Sequence, residues 1–382
     1  MADAIPFIDL QAQRKRLGAR IEQAIMRVLE HGKMILGPEV GELEASLSAF
    51  TGAAHTVTCA NGTDAITMVL MAENVGPGDA VFVPAFTFIA TAEAPAQIGA
   101  TPFFVDVCDD DFNIDPESLE TGIVDAKTRG LRPRAVIAVD LFGQPADYAA
   151  LQDVADRHGL LVIADAAQSF GGSRDGRRVG TFGDYTTTSF FPAKPFGCYG
   201  DGGAVFTNDV AKADLLRSIR AHGKGNDRYD NVRIGLNSRL DTLQAAILLE
   251  KLSIFEDELE KRDRVAERYA AALDGFVELP RLKLGCRSSW AQYTLRCQDR
   301  DRLKAALADA GIPSVIYYPI PLNRQTGYDH FPKAPAGVPV ADRLSAEVLS
   351  LPMHPYLEPD VQDRIADAVI QVCSPDTVAA FG

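Results

Sequence analysis

The sequence lacks the cysteine spacing that disulfide frameworks and zinc sites require. Its 382 residues include six cysteines, and no two of them form a CxxC pair. Scattered cysteines of this kind are typical of reduced thiols inside a cell, and a chain of this length can bury a large core without covalent cross-links. We therefore expect free cysteines and no metal site.

Long apolar runs and an excess of positive charge are also missing. No uninterrupted apolar stretch approaches the roughly 20 residues that cross a bilayer, and the first residues have neither the basic start nor the apolar segment of a signal peptide. The net charge is -14, whereas nucleic-acid binding needs a basic surface. These absences predict a cytoplasmic protein that binds neither membranes nor nucleic acids.

Short apolar runs alternate with helical patterns through the first two thirds of the chain. Several runs are apolar at nearly every position, as in strands that are covered on both faces. The segments between them, such as 64–73 and 147–158, are predicted helices. The predicted strands are residues 55–59, 80–83, 101–107, 135–141, 160–164, 185–190 and 204–207. This alternation predicts an α/β fold with a mostly parallel sheet.

The pattern changes after residue 241. A long helix is predicted at residues 242–273, followed by short strands at 293–297 and 314–318 and by helices at 302–310 and 359–372. We interpret this change as a division into two units. The predicted domains are a large one over residues 1–250 and a smaller C-terminal α/β domain over residues 251–382.

Two charged residues follow predicted strands in this pattern. Asp165 ends an apolar run, and ligands of open α/β sheets lie at the carboxyl ends of strands, although an acid there can also simply cap the next segment. Lys194 lies between Pro192 and Pro195 and precedes a glycine-rich turn at residues 200–203. A lysine in such a rigid, partly apolar segment can be desolvated, which lowers the pKa of its amine and favours nucleophilic reactions of the neutral amine.

A third element is the segment 59–65, in which a strand ends, Asn61 and Gly62 turn, and a helix begins at Thr63. Backbone N–H groups and a hydroxyl at a helix N-terminus form a phosphate site, although such turns are common without any ligand. Pyridoxal 5'-phosphate (PLP) needs a phosphate site, a carboxylate for its ring nitrogen and a lysine for its aldehyde. The combination with Asp165 and Lys194 therefore predicts a fold-type I PLP-dependent enzyme.

Ordered motifs along nearly the whole chain resemble those of the DegT/DnrJ/StrS family of nucleotide-sugar aminotransferases. They include residues 8–10, 37–40, 61–65, 84–88, 143–147, 165–168, 189–203, 237–241, 318–322 and 351–355. The resemblance implies a fold-type I PLP-dependent transferase, with a mostly parallel central sheet flanked by helices and a smaller C-terminal domain. It also implies glutamate as the amino donor, a nucleotide-linked keto-sugar as the acceptor, and a homodimer whose active sites are shared across the interface.

The resemblance assigns roles around the PLP ring. Lys194 would form the Schiff base with PLP and then carry protons, Asp165 would pair with the ring nitrogen, and Gln168 would hold the ring hydroxyl. Phe88 would stack on the ring, and Phe86 is the alternative residue for that role. A related branch of the family has histidine in place of the Schiff-base lysine and dehydrates its substrate, so Lys194 and Gln168 favour transamination here.

The resemblance also assigns the residues that hold the phosphate. These would be the backbone of Gly62 and Asp64, together with Thr63 and Ser189. Asn237 would reach the phosphate from the neighbouring subunit. The alternative for Asn237 is an ordinary turn residue.

Residues 191–195 and 289–294 look most like those of enzymes that aminate UDP-2-acetamido-2-deoxy-3-oxo-glucuronate. That sugar is an anion, and the basic stretch from Arg217 to Arg239 could hold it, with Arg239 as the first candidate for the carboxylate. The other candidate substrate residues are His222, Tyr317, Tyr318 and Asn323.

Two departures from the family pattern leave the substrate open. Many relatives have His at position 323 and a His-Tyr pair at 317–318, where this chain has Asn323 and Tyr317-Tyr318. C4 amination of a UDP- or dTDP-linked 4-keto-6-deoxy sugar is therefore an alternative. Two other classes also stay open, a PLP-binding regulatory protein and a fold-type I lyase or desulfurase that acts on a free amino acid.

Overall fold

The structure is a computed structural model that describes residues 5–227 and 229–374. Its strands are β1 (His55–Cys59), β2 (Asp79–Pro84), β3 (Thr101–Val105), β4 (Arg132–Val139), β5 (Leu161–Asp165), β6 (Ser173–Arg174), β7 (Arg177–Arg178), β8 (Tyr185–Ser189), β9 (Gly203–Thr207), β10 (Cys286–Arg287), β11 (Tyr293–Arg296) and β12 (Val348–Leu351). Its α-helices are α1 (Leu10–Leu17), α2 (Ala19–His31), α3 (Pro38–Thr51), α4 (Gly62–Ala72), α5 (Ala90–Gln97), α6 (Pro116–Thr128), α7 (Tyr148–His158), α8 (Val210–Ile219), α9 (Thr242–Leu273), α10 (Arg300–Asp309), α11 (Pro339–Glu347) and α12 (Pro359–Cys373).

The central sheet has seven strands in the order β1-β9-β8-β5-β4-β2-β3. Neighbours from β8 to β3 pair in parallel, whereas β9 runs antiparallel to both β1 and β8. The prediction of an α/β fold with a mostly parallel sheet is therefore confirmed. Each of the seven sheet strands overlaps one of the predicted strands.

Both faces of the sheet are covered, because successive strand residues point to opposite sides. Val81 and Ile137 contribute to one buried apolar cluster, and their neighbours Phe82 and Val136 contribute to another. Helices on both faces supply the rest of these clusters. Burial on two sides explains why the strands are apolar at nearly every residue.

The long helix α9 links the two halves of the chain. It spans 32 residues, and its bounds coincide with the predicted segment. Phe255, near its middle, packs in a cluster that includes the aromatic residues Phe170 and Phe196. Its last turns pack, through Tyr269, in a separate cluster with β11, β12, α10 and α12. The predicted domain boundary at residues 250 and 251 falls inside α9 and stays a prediction.

The predicted strand at 314–318 is wrong. That segment makes only one isolated bridge, between Val315 and Ser350. The partner of β11 is instead β12, which directly follows α11. Residues 314–318 have strand-forming side chains, but they meet the second edge of β12 at this single position only. Within the described chain, no helix combines the length and the hydropathy needed to cross a membrane.

Candidate active site

Three predicted site segments meet at one edge of the sheet. Asp165 is opposite Thr187 in the pairing of β5 with β8, and Ser189 ends β8. Gly203 of β9 is the register partner of both Ser189 and Cys59. The carboxyl ends of β1, β5 and β8 therefore lie together, at the edge where open α/β sheets bind ligands.

The N-terminus of α4 faces Ser189 across this edge. The Asn61 side chain accepts a hydrogen bond from the Asp64 N–H at 2.8 Å and so caps the helix. A Cβ added to Gly62 would lie 2.7 Å from the Cβ of Ser189, so the two segments are as close as a glycine allows. The first-turn N–H groups of Gly62 and Thr63, together with the Ser189 hydroxyl, form a cup suited to a phosphate.

Asp165 and Lys194 influence each other electrostatically. Asp165 is buried, and one carboxylate oxygen accepts a hydrogen bond from the Ala167 N–H at 3.0 Å. Burial raises the pKa of Asp165, and the nearby Lys194 cation acts against this rise. Desolvation lowers the pKa of Lys194, with Asp165 opposing it. Within residues 5–227 and 229–374, the Lys194 amine has no hydrogen-bond partner, so it is available for chemistry.

The Gln168 side chain is held in one orientation. Its Oε1 accepts a hydrogen bond from the Phe142 N–H at 2.6 Å, and its Nε2 donates to the Tyr318 hydroxyl at 3.2 Å. Its backbone carbonyl accepts a hydrogen bond from the Ser289 hydroxyl at 2.5 Å. The amide N–H groups therefore face Tyr318 and the site. The sequence did not predict that Phe142 and Ser289 support Gln168, although Ser289 lies in the motif at residues 289–294.

Phe86 and Phe88 lie in different environments. Phe86 is 1% exposed and packs edge-on against Phe142 and Tyr318, whereas Phe88 is 53% exposed. The Phe88 ring centroid lies 6.3 Å from that of Tyr318. Phe86 is therefore a core residue, and only Phe88 has a face free to meet a ligand.

The other predicted site residues lie around this edge. Asn237 is exposed, and its neighbour Ser238 accepts a hydrogen bond from the Ala60 N–H at 3.1 Å, beside the phosphate cup. His222 is exposed on a loop that pairs with this segment through the bridge between Ala221 and Asn237. Tyr317 is half-buried. Asn323 is buried, and its Oδ1 has no hydrogen-bond partner in the described chain.

The basic stretch does not form one anion site. Arg217 pairs with Asp214, and Arg233 donates to the Ser218 hydroxyl. Arg220 is buried and donates to Glu44 and Thr58, and Arg228 lies outside the described residues. Arg239 is partly exposed and has no ion pair or hydrogen bond within residues 5–227 and 229–374. Lys224 has no side-chain partner among the described residues either, but it lies exposed on the loop after α8, whereas Arg239 follows Ser238, which contacts Ala60 beside the phosphate cup. Arg239 is therefore the better placed of these two cations for a substrate.

These residues fit PLP. The phosphate cup suits the PLP phosphate, and the buried carboxylate of Asp165 suits the ring nitrogen. The unpaired Lys194 amine suits the aldehyde. The oriented amide of Gln168 suits the ring hydroxyl, and the open face of Phe88 suits the ring. No group of three or more potential metal ligands occurs among the described residues. The fold and the site together define a fold-type I PLP-dependent transferase.

The chain belongs to the DegT/DnrJ/EryC1/StrS aminotransferase family, whose family model matches residues 15–370. It is 48% identical to the UDP-2-acetamido-2-deoxy-3-oxo-D-glucuronate aminotransferase of Pseudomonas aeruginosa, over 93% of this chain and 96% of that protein. The crystal structure of a family aminotransferase from Brucella abortus superposes with a TM-score of 0.96 at 54% identity, covering 97% of this chain and 100% of the other.

A third similar protein is NtdA of Bacillus subtilis, whose crystal structure contains the cofactor PMP, the amine form of PLP. It has a TM-score of 0.87 at 29% identity, covering 98% of this chain and 86% of the other. These findings confirm the predicted family, fold class and cofactor, and they identify this protein as an aminotransferase.

Proposed function

We propose that this aminotransferase transfers the amino group of glutamate to UDP-2-acetamido-2-deoxy-3-oxo-glucuronate, which yields the 3-amino sugar. The observation that carries the proposal is the 48% identity, over nearly the full length of both chains, to an aminotransferase of Pseudomonas aeruginosa named for that substrate. The unpaired guanidinium of Arg239 supports it, because this sugar carries a carboxylate that a neutral keto-sugar lacks.

The site residues have separate roles in this proposal. Gly62, Thr63 and Ser189 bind the PLP phosphate, and the Asp64 N–H donates to the Asn61 side chain, which caps the helix that presents them. Phe88 of the same protomer covers the ring. Asp165 pairs with the ring nitrogen, and Gln168 donates to the ring hydroxyl. When bound, PLP supplies an electron sink for the charge that develops on the donor carbon.

Lys194 is the catalytic base and acid of the proposed reaction. Its Nζ takes the proton from Cα of the amino donor, and it returns a proton to the sugar carbon that becomes aminated. A lowered pKa suits both tasks, because the neutral amine must take one proton and its cationic form must return another near the working pH. The negative charge of the Asp165 carboxylate stabilises the cationic form of the Lys194 amine.

The substrate residues surround the open side of the site. Arg239 holds the sugar carboxylate through a bidentate pair, and His222 and Tyr317 are proposed to contact the diphosphate and the sugar. Tyr318 already receives a hydrogen bond from Gln168 and is proposed to place its ring against the sugar. The unpartnered Oδ1 of Asn323 is a further proposed acceptor for a sugar hydroxyl.

We further propose a cytoplasmic homodimer in which Asn237 completes the phosphate site of the partner subunit. Large apolar side chains are exposed on the surface of the protomer, among them Leu29, Ile35, Phe191 and Ile234. Apolar surface of this kind is typical of an interface between subunits.

Mixing Lys194→Ala and Asn237→Ala subunits tests whether the two subunits share each active site, since about a quarter of the sites should regain both residues. Recovery of no activity on mixing would contradict it.

Visible absorbance tests the cofactor and the donor together. Purified wild-type protein should show the absorbance band of enzyme-bound PLP and lose it on addition of glutamate. The Lys194→Ala variant should not form the band. A wild-type protein that stays colourless after addition of PLP would overturn the proposed chemistry.

Arg239 allows a sharper test of the substrate. Arg239→Ala should raise the KM for the 3-oxo-glucuronate by roughly tenfold or more, because a charge-assisted hydrogen-bonded pair contributes about 1.5–3 kcal/mol. The KM for UDP-linked 3-oxo-N-acetylglucosamine, which lacks the carboxylate, should not change. Arg217→Ala is the matched control, since Arg217 already pairs with Asp214 on the outside of α8. Equal loss with both sugars, or faster turnover of a 4-keto-6-deoxy sugar, would contradict the proposed substrate.

A further inference from the structure

Lys251 is a buried lysine in the first third of α9. Its side chain is 1% exposed, although burial of an ammonium group is unfavourable unless its hydrogens find partners. Its Nζ donates to the Gly197 carbonyl at 2.6 Å and lies 4.1 Å from the centroid of the Tyr199 ring. Burial lowers the pKa of Lys251 to about 8, with Glu258 opposing the change. The α9 helix thus directs a buried amine at one backbone carbonyl.

Gly197 belongs to the loop that carries Lys194. The Cys198 N–H donates to the Phe190 carbonyl at 2.8 Å, which closes the loop at its base. A Cβ added to Gly197 would lie 2.5 Å from the Phe191 carbonyl oxygen, so the two sides of the loop are in direct backbone contact. A shift of Gly197 therefore moves the segment on which Lys194 is mounted.

A second side chain of α9 holds the same loop. Gln244, two turns before Lys251, accepts a hydrogen bond from the Tyr199 N–H at 2.9 Å and donates to the Tyr199 carbonyl at 3.4 Å. Lys251 and Gln244 therefore connect the helix to the loop at two successive points. Of these two α9 side chains, only Lys251 contacts a residue within three positions of Lys194.

We propose that Lys251 is a positioning residue for Lys194: by holding the Gly197 carbonyl, it keeps the loop closed and the Lys194 amine beside Asp165. The proposal rests on the catalytic role proposed for Lys194. Without the Lys251 donor, the Gly197 carbonyl loses its charged partner and water can enter the space below the loop. A looser loop exposes the Lys194 amine to water, and solvation favours its charged form.

Arg262 provides a matched control on the same helix. It is also buried and donates to two backbone carbonyls, those of Trp290 at 2.9 Å and Met353 at 3.4 Å. These carbonyls belong to the C-terminal part of the chain and not to the Lys194 loop. Arg262→Met therefore removes a similar buried contact and costs stability without releasing that loop.

The test measures the Lys194 amine directly. Full-length protein freed of cofactor is labelled with trace acetic anhydride across a pH series, and the Lys194 peptide is quantified by mass spectrometry. Lys251→Met should raise the labelling midpoint of Lys194 by about half a pH unit or more, roughly threefold in proton affinity. Hydrogen exchange over residues 190–203 should also speed up. Lys251→Arg should restore both readings in part, and Arg262→Met should lower Tm without moving either.

Two results would overturn the proposal. One is a Lys251→Met protein with a lower Tm but an unchanged Lys194 midpoint and unchanged exchange, which would make Lys251 a stability residue only. The other is an equal midpoint shift in Arg262→Met, which would indicate general loosening. If Lys251→Met does not fold, Lys251→Gln is measured in its place. Because labelling needs no cofactor or substrate, failure here is distinguishable from failure of the proposed function, which visible absorbance reports.

Discussion

Substitution of Gly62 by alanine tests the phosphate cup with a single methyl group. The added Cβ would lie 2.7 Å from the Ser189 Cβ and 3.2 Å from its hydroxyl oxygen, closer than packed carbon atoms normally approach. Either Ser189 or the N-terminus of α4 must move, and both are proposed to bind the phosphate. The substitution should therefore weaken PLP binding more than it weakens folding.

The magnitude follows from two opposing effects. Alanine normally stabilises a helix by about 1 kcal/mol relative to glycine, whereas overpacking costs about 1–3 kcal/mol, so the cofactor-free protein should lose at most about 2 kcal/mol. Displacing the Ser189 hydroxyl weakens a hydrogen bond to a charged group, which contributes about 1.5–3 kcal/mol. The Kd for PLP should therefore rise roughly 10- to 100-fold.

The assay is a PLP titration of the cofactor-free protein by absorbance, with Tm measured in parallel. Gly41→Ala is the matched control, because Gly41 lies inside helix α3 and an added Cβ would meet no heavy atom within 4 Å. Gly41→Ala should stabilise the fold by about 0.5–1 kcal/mol and leave PLP binding unchanged. A Gly62→Ala protein that binds PLP within about threefold of wild type would refute the reasoning, since Gly62 and Ser189 would then not share the phosphate.

Two further predictions concern titrating groups. Burial, followed by the Arg262 charge, lowers the pKa of His354 to about 4, so the unfolded chain binds a proton that the folded chain rejects. The stability from His354 should be complete above about pH 6.5 and lost as the pH falls toward 4, by up to about 3 kcal/mol; denaturant unfolding of His354→Gln should lack this component. The Cys373 thiol, whose Sγ lies 3.9 Å from the Sγ of Cys297, lowers the pKa of Cys297, whereas burial raises the pKa of Cys198 to about 11. Iodoacetamide near neutral pH should modify Cys297 before Cys198, and peptide masses showing the reverse order would contradict this.

Local sequence patterns predicted most of the secondary structure. The helix α9 and the strand β1 have the predicted bounds, because the periodicity of apolar side chains is set by a few neighbouring positions. The errors arose where pairing depends on distant residues. Residues 314–318 have strand-forming side chains but make only one bridge, and β12 was missed because it follows α11 without a break.

The sequence by itself determined the family, the fold class and the cofactor, because Asp165, Lys194 and the segment around Gly62 lie in short motifs whose chemistry is local. Only the tertiary structure decided which of two residues of the same type can reach a ligand. It buries Phe86 and leaves Phe88 exposed. Arg220 is bound to Glu44, whereas Arg239 has no partner among the described residues. Burial and charge pairing depend on residues brought together from distant parts of the chain, which no short motif records.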